Sequence, residues 1–385
     1  MTDAALQATP FHEAIALLNH SMQWERWLGY ATVSHFYNPG MEYAAIRNAA
    51  SLYDISPMRK YDVSGPDAVR FLNRLITRDI ERCKPGRCFY TPWCNGEGKV
   101  IEEGTIFRFT EDRFRINCGE HNLTWFRATA DGLDVNVDEV SDDIAALSLQ
   151  GPEARTVLER VGLTEAAGLR WFGLVETELD DAPMMVSRTG FTGDLGYELW
   201  TPREHALALW ERLMAAGQER DVTPIGSAAL NIARVEAGHI QVHSEYLDAR
   251  VCVDPGEKRS PRELGLDWAV DLRKPHFNGR RALAMEQEHG GPPLRLVGLE
   301  VAGRRPAVDS MLYAGKRIVG QTTAAVWSPL LKRSIALALV QRRYATPGTV
   351  LGAEVDFRRE LRLQRSDQIA RVVAPKFIDL ERRRA

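Results

Sequence analysis

Two stretches of the chain share one local pattern, and that repeat constrains the fold more than any other feature. Val63-Ser64-Gly65-Pro66-Asp67-Ala68 and Leu149-Gln150-Gly151-Pro152-Glu153-Ala154 each read as a strand end, a Gly-Pro turn, an acid and the start of a helix. Glycine permits backbone angles that other residues avoid, proline presets the first helical turn, and an acid there is placed to cap it. The pattern predicts helices over residues 68–76 and 154–161, each after a strand, 60–63 and 144–149. A strand–turn–helix unit met twice predicts two related α+β halves.

Around these units, apolar spacing predicts an N-terminal helix over 11–27 and strands over 89–91, 100–109 and 114–117, the last two joined as a hairpin by Glu111-Asp112. The second half continues with strands 184–187 and 197–200 and helices 205–216 and 228–238. A polar, Gly/Pro-rich tract, 286–293, then interrupts the pattern. Beyond it, short strands over 295–301, 311–313, 316–320, 335–340 and 354–357 predict a small antiparallel barrel or sandwich. The expected division is an aromatic-rich segment, 1–49, a mixed domain, 50–285, and a barrel domain, 290–385.

Composition excludes several classes. A net charge of −3 over 385 residues gives no reason to expect nucleic acid or an anionic membrane as partner. No tract approaches the roughly 20 apolar residues needed to span a bilayer. The first residues lack a basic region followed by an apolar run, so no secretory signal is expected and the protein is expected to be cytoplasmic. The five cysteines are sparse and odd in number, which suits a reducing compartment. Cys83, Cys88 and Cys94 match no common zinc spacing, and Gly238 should end the helix that would put His239 and His243 on one face, so no metal is expected.

Two tracts carry candidate chemistry. In Tyr90-Thr-Pro-Trp-Cys-Asn-Gly-Glu-Gly-Lys-Val-Ile-Glu-Glu-Gly104, adjacent Glu102 and Glu103 lie on a strand. Alternation should send one inward and the other to solvent, and an inward carboxylate must be paired or used. In Ser187-Arg-Thr-Gly-Phe-Thr-Gly-Asp-Leu-Gly-Tyr-Glu-Leu199, three glycines allow close backbone approach, and Glu198 offers two oxygens to a planar heterocycle with adjacent N–H donors, or is a plain strand-edge glutamate. The tract lacks the Gly-Lys-Ser/Thr ending of a phosphate loop. Arg234 and Glu236, at the end of a helix capped by Gly238, read as a helix-end ion pair.

Taken in order, these tracts resemble the glycine-cleavage T-protein (aminomethyltransferase) superfamily. The resemblance rests on Leu52-Tyr-Asp-Ile-Ser-Pro-Met58, Val63-x-Gly-x-Asp-Ala-x-x-Phe-Leu72, Tyr90-Thr-x-x-x-Asn-x-x-Gly98, Gly190-Phe-Thr-Gly-Asp-x-Gly-Tyr-Glu198 and Arg234-x-Glu-Ala-Gly238. Phe277-x-Gly-Arg-x-Ala-Leu283 and Ser328-Pro-x-Leu-Lys332 with Ile335-Ala-Leu337 extend it toward Phe377. It implies two α+β subdomains around a central folate channel, a C-terminal antiparallel β-barrel, and one-carbon transfer to tetrahydrofolate. It implies that Glu198 binds the pterin N–H groups, that Tyr90 lines the pterin pocket, and that the carboxylate near folate N5 is Glu103 rather than Glu102. Phe191, Tyr197, Arg234 and Trp327 are further expected folate contacts.

Departures from the family bear on the donor. Pro57 stands where the family usually has histidine, Glu103 where it has aspartate, Leu230 where it has arginine, and Phe377 where it has tyrosine. Glu103 is one methylene longer than aspartate, which moves its carboxylate by about 1.5 Å. These departures argue against a lipoylated carrier protein as partner. They favour a paralogue that demethylates a small methylated sulfonium, amine or betaine, or methoxy-aromatic compound. Aromatic faces attract methylated cations, so Trp24, Tyr30, Tyr37, Trp93 and Trp171, with His239, are the expected donor contacts, although many such rings are core packing. The alternatives are a true glycine-cleavage aminomethyltransferase and a non-catalytic folate-binding member. The region from Gly238 to Glu245 has none of the cysteine that marks the latter. Oligomeric state and donor identity are not fixed by the sequence.

Overall fold

A computed structural model describes residues 5–217, 222–359 and 362–384; residues 1–4 of the expected N-terminal segment lie outside them. The chain is α+β, with two facing sheets and a closed barrel. The first half is an antiparallel sheet whose strands run in the order Arg87–Cys94, Val100–Arg108, Arg113–Cys118, Arg59–Ser64 and Asn136–Glu139. The second has the order Leu174–Leu179, Ala182–Ser187, Gly196–Pro202, Ile144–Gln150, Ala50–Asp54 and Val222–Pro224, the last pair parallel. Each sheet has an outer face covered by helices. Phe71, Leu72 and Phe126 pack beneath the first sheet, and Leu158, Trp210 and Leu213 beneath the second.

The repeated unit holds in three dimensions. Gly65 has φ +125° and Gly151 φ +128°, and a Cβ at either would sit 2.8 Å from Asp134 O or 2.4 Å from Ala49 O. Helices Ala68–Leu75 and Ala154–Arg160 follow. Neither acid caps its helix with its side chain; Asp67 instead accepts a hydrogen bond from the Asp134 backbone N–H at 3.0 Å. The turn is therefore built to let another chain segment approach, and capping is secondary.

The inner faces meet across the core formed by Tyr53, Ile55, Cys88, Phe107, Met185 and Trp200. Register places a polar row on each wall. Tyr90, Thr105, Asn117 and Lys60 are successive cross-strand partners on the first sheet. Ser187, Glu198, Ser148 and Tyr53 are partners on the second.

Strands Leu294–Val301, Arg333–Gln341, Arg317–Ser328, Met311–Ala314, Val350–Arg359 and Arg362–Val373 close the barrel. Its interior is a run of alternating apolar residues such as Leu299, Ala336, Leu351 and Val372. The expected strand 354–357 is the middle of a long hairpin.

Three expectations require correction. The N-terminal helix ends early: His12–Leu18 is helical, and Gln23–Trp27 is a strand paired with Tyr30–His35. The tight turn at Leu28 and Gly29, φ 51° and 90°, makes this tract a hairpin, and Trp24 and Trp27 favour strand over helix. Arg234 and Glu236 do not pair with each other. Arg234 binds Glu245 at 2.8 Å and Glu236 binds Arg47 at 2.7 Å. Finally, the glycines of the 190–196 tract serve packing, since a Cβ at Gly190 or Gly196 would collide with the Gln150 side-chain amide.

Candidate functional site

The Val100–Arg108 strand carries Glu102 and Glu103; Glu102 is buried and Glu103 is half-buried, so the expected split between core and solvent is only partial. Glu102 turns toward the first-half core, where it accepts from the N–H of Gly119 (2.5 Å) and Glu120 (3.1 Å) and from the Asn122 amide (2.6 Å). It is a structural anchor. Glu103 turns toward the facing sheet. Tyr246 donates to its Oε1 at 3.5 Å, and the Tyr90 hydroxyl bonds it as well. Burial pushes the Glu103 carboxyl up to about 7, partly offset by the two tyrosine hydroxyls and reinforced by the Glu245 charge. Tyr90 in turn stacks on Trp268, ring centroids 6.0 Å apart, at the rim.

On the opposite wall Glu198 is half-buried, and Thr189 donates to its Oε2 at 2.6 Å. Thr189 and Ser187 share a further 2.6 Å bond. Burial again pushes the carboxyl up to about 7, against the lowering effect of these hydroxyls. Glu103 and Glu198 are thus both half-buried and poorly solvated, which is the condition in which a carboxyl is held protonated more readily than in water.

Two residues that sequence reasoning missed belong here. Tyr246 reaches Glu103 from a loop distant in sequence. Asn117 is 0% exposed, and neither polar atom of its side chain has a partner among the described residues. It sits in the row between Thr105 and Lys60, on the same sheet face as Glu103. A buried amide with no partner is rare in native proteins and points to a bound group or water. The signal lay in the strand register, which no single strand reveals.

Most of the expected aromatic contacts are structural. Trp93 is fully buried, and its indole N–H donates to Asn122 Oδ1 at 3.2 Å. Tyr197 points to the other side of its strand from Glu198, and its hydroxyl donates to Ala167 O at 2.7 Å. Tyr30 is buried with its hydroxyl on Asp142, Trp24 packs beside His12, and Tyr37 is exposed, stacked on His20. Trp327 lies under Arg304 on the opposite strand face from Ser328, which donates to Glu236. Arg234 is consumed by Glu245, Asn231 and Ser244. Phe191 and His239 stack on each other at 5.4 Å beside the Glu198 loop, and Trp171 lies under Arg383 at 5.0 Å. Among the described residues no cluster of His, Cys, Asp and Glu has metal-ligand geometry; His243 pairs with Glu120 and Glu245 with Arg234. The described residues include no helix long and apolar enough to cross a membrane.

Two facing sheets with a polar row on each inward wall, joined to a six-stranded barrel, define the class. The GCVT N-terminal domain matches residues 10–274 and the glycine cleavage T-protein C-terminal barrel domain matches residues 295–379, so the chain belongs to the glycine-cleavage T-protein family. An aminomethyltransferase of Desulfitobacterium hafniense (strain DSM 10664 / DCB-2) is 33% identical over 356 residues, covering 90% of this chain and 93% of that protein. One from Alkaliphilus metalliredigens is 34% identical over 322 residues, 82% and 84% of the two chains. The crystal structure of glycine cleavage system aminomethyltransferase T from Bartonella henselae superposes with a TM-score of 0.85 at 24% identity, over 97% of this chain and 98% of that one. That likeness speaks to the fold.

Proposed function

We propose that this chain is an enzyme that transfers a one-carbon unit from a donor to N5 of tetrahydrofolate, bound between the two sheets. One observation carries the reading: Glu103 and Glu198 lie on the inward faces of the two sheets, and the face that carries Glu103 also holds Asn117, whose side-chain amide has no partner among the described residues. Such a donor set fits a flat heterocycle that presents several N–H groups and one amine. Tetrahydrofolate supplies that amine as the acceptor when bound.

Glu198 orients the ring by accepting its N–H groups, with Thr189 fixing the carboxylate plane. Glu103 manages the proton at N5. Its carboxyl, poised near 7, can take the proton that N5 must lose and stabilise the positive charge that develops as the new bond forms. Tyr90 and Tyr246 hold it in place, and the apolar core beneath excludes water.

For the donor, the relatives' shared name, aminomethyltransferase, favours an aminomethyl group presented by a lipoylated carrier. It weighs against the expectation that such a carrier plays no part. The second reading, demethylation of a small methylated compound, is favoured by Pro57, Glu103 and Leu230, which depart from the family pattern. Turnover with tetrahydrofolate separates them: a lipoylated carrier charged from glycine should yield 5,10-methylene-tetrahydrofolate, and a methylated small molecule 5-methyl-tetrahydrofolate. No folate binding at all would overturn the proposal as a whole.

A further inference from the structure

The loop that follows helix Ser227–Ala237 is closed on itself and tied to three parts of the molecule. Ser244 and Glu245 donate their backbone N–H groups to the Gln241 carbonyl at 3.1 Å, and His243, at φ +66°, donates to the Tyr246 carbonyl at 2.8 Å. Inside the loop lies Glu245, 1% exposed. Its Oε2 accepts from the Gln241 N–H and from Arg234 of the helix, both at 2.8 Å. His243 reaches Glu120 of the first half at 3.0 Å. The third tie comes from the barrel, where the Thr323 hydroxyl donates to Glu245 Oε1 at 3.0 Å.

Thr323 is the extra residue of a β-bulge. Its neighbours Thr322 and Ala324 pair with Ala338 and Leu337, and Thr323 is left opposite no residue of that strand. A bulge gives up ladder pairing and re-aims a side chain. Here it turns a hydroxyl onto a buried carboxylate outside the barrel, whose Oε1 has no other partner among the described residues. At the far end of the loop Tyr246 is buried, and its hydroxyl lies 3.5 Å from Glu103 Oε1. That separation is at the outer limit of hydrogen bonding, so a small displacement of the loop makes or breaks the bond.

We propose that Thr323 is a positioning residue for the reaction: from the barrel bulge it holds Glu245, and through the loop it sets the Tyr246 hydroxyl against Glu103. The inference rests on the reading of Glu103 as the group that handles the N5 proton. The barrel thereby bears on the chemistry without touching the reacting atoms. The titratable groups that act on Glu103 are Tyr90 of the adjacent strand and Tyr246 and Glu245 of the loop. Glu102 points to the other face, where Gly119 and Asn122 hold it. Lys60, on the same face, is tied to the Ser56 and Met58 carbonyls at 2.7 and 2.9 Å, and Glu198 on the facing sheet is bound by Thr189. The Tyr246 hydroxyl lowers the Glu103 carboxyl and the Glu245 charge raises it, so loss of position and loss of charge have opposite signs.

The test follows the titration of Glu103 in the ligand-free full chain by carboxyl-carbon NMR, with the acid limb of kcat/KM as a second readout. Thr323→Val keeps the shape of the side chain and removes its hydroxyl, while Arg234 and the Gln241 N–H still hold Glu245 ionised. It should move the titration to higher pH, in the direction of Tyr246→Phe and by about half as much. Thr323→Ser should restore the parent value, and Thr323→Val in a Tyr246→Phe background should add nothing. Thr323→Ala takes its place if valine does not pack. No movement in a folded Thr323 variant, movement to lower pH, or a further shift in the Tyr246→Phe background overturns the proposal. A shifted titration that the acid limb does not follow would leave the coupling standing and count against the role of Glu103 in one-carbon transfer.

Discussion

The two facing sheets begin from the same strand–turn–helix unit and each contributes one glutamate, yet the two carboxyls are dressed differently. Glu103 sits among phenols, Tyr90 and Tyr246, with a second carboxylate, Glu245, close enough to raise it further. Glu198 sits among aliphatic hydroxyls, Thr189 and Ser187. Burial brings both to about 7. The lesson is that equal acidity does not mean equal use. Phenols beside a carboxyl form a network that holds and moves a proton, whereas a threonine that pins one oxygen fixes direction.

That contrast can be broken by substitution. Glu103→Gln should lower kcat about a thousandfold while the tetrahydrofolate Kd moves less than about threefold, read by steady-state kinetics and calorimetry. If Glu103→Gln keeps full activity, the wall roles are wrong. Glu198→Gln should do the reverse, weakening tetrahydrofolate about 30- to 100-fold by loss of charge-assisted bonds, with a smaller change in kcat at saturation.

Protonation sharpens the comparison. Activity that needs ionised Glu103 should fall as pH drops below about 7. Tyr246→Phe removes a hydroxyl that lowers this carboxyl, so the acid limb of kcat/KM should move to higher pH. Ser187→Ala on the other wall should leave that limb in place.

The smallest effect concerns stability. Both carboxyls have folded-state values raised above the ordinary 4.5. Their contribution to folding is fully present below that pH and is lost as pH rises through about 7, because the unfolded chain then ionises more readily. Either Glu→Gln variant without ligand should therefore be more stable than the parent at pH 8, by about 1–2 kcal/mol after allowance for partial screening, and equal to it near pH 4. Thermal melts at the two values check this.

What the sequence made legible follows locality. The twin Gly-Pro turns and the barrel strands were readable because each is written in a few neighbouring residues. Glu198 and Glu103 were singled out because family motifs surround them, and the structure sets both on inward sheet faces. Asn117 and Tyr246 were not, since their placement beside Glu103 arises from strand register and from a loop distant in sequence. The aromatic residues misled for a related reason: burial is a property of the packed protein, and nothing within residues 24 to 37 announces that Tyr30 is buried on Asp142 while Tyr37 is exposed. Trp27 and Tyr53 stack within the core between the sheets. The N-terminal helix was overextended because apolar spacing in a short tract fits a hairpin as well as a helix.

The buried network around Glu236 has a consequence for how the chain is made. Arg47, Tyr43 and Ser328 converge on that carboxylate, Arg47 also reaches Asp194, and Arg382 closes on Asp194 and the Arg47 carbonyl. Its members are spread from residue 43 to residue 382. During synthesis the first sheet can assemble early, but Ser328 and Arg382 emerge last, so Glu236 and Asp194 wait with incomplete partners until translation is nearly done. A nascent chain paused before the barrel would hold every strand of both sheets but lack Ser328 and Arg382, and ribosome-bound intermediates of that length should be open to proteolysis between the halves.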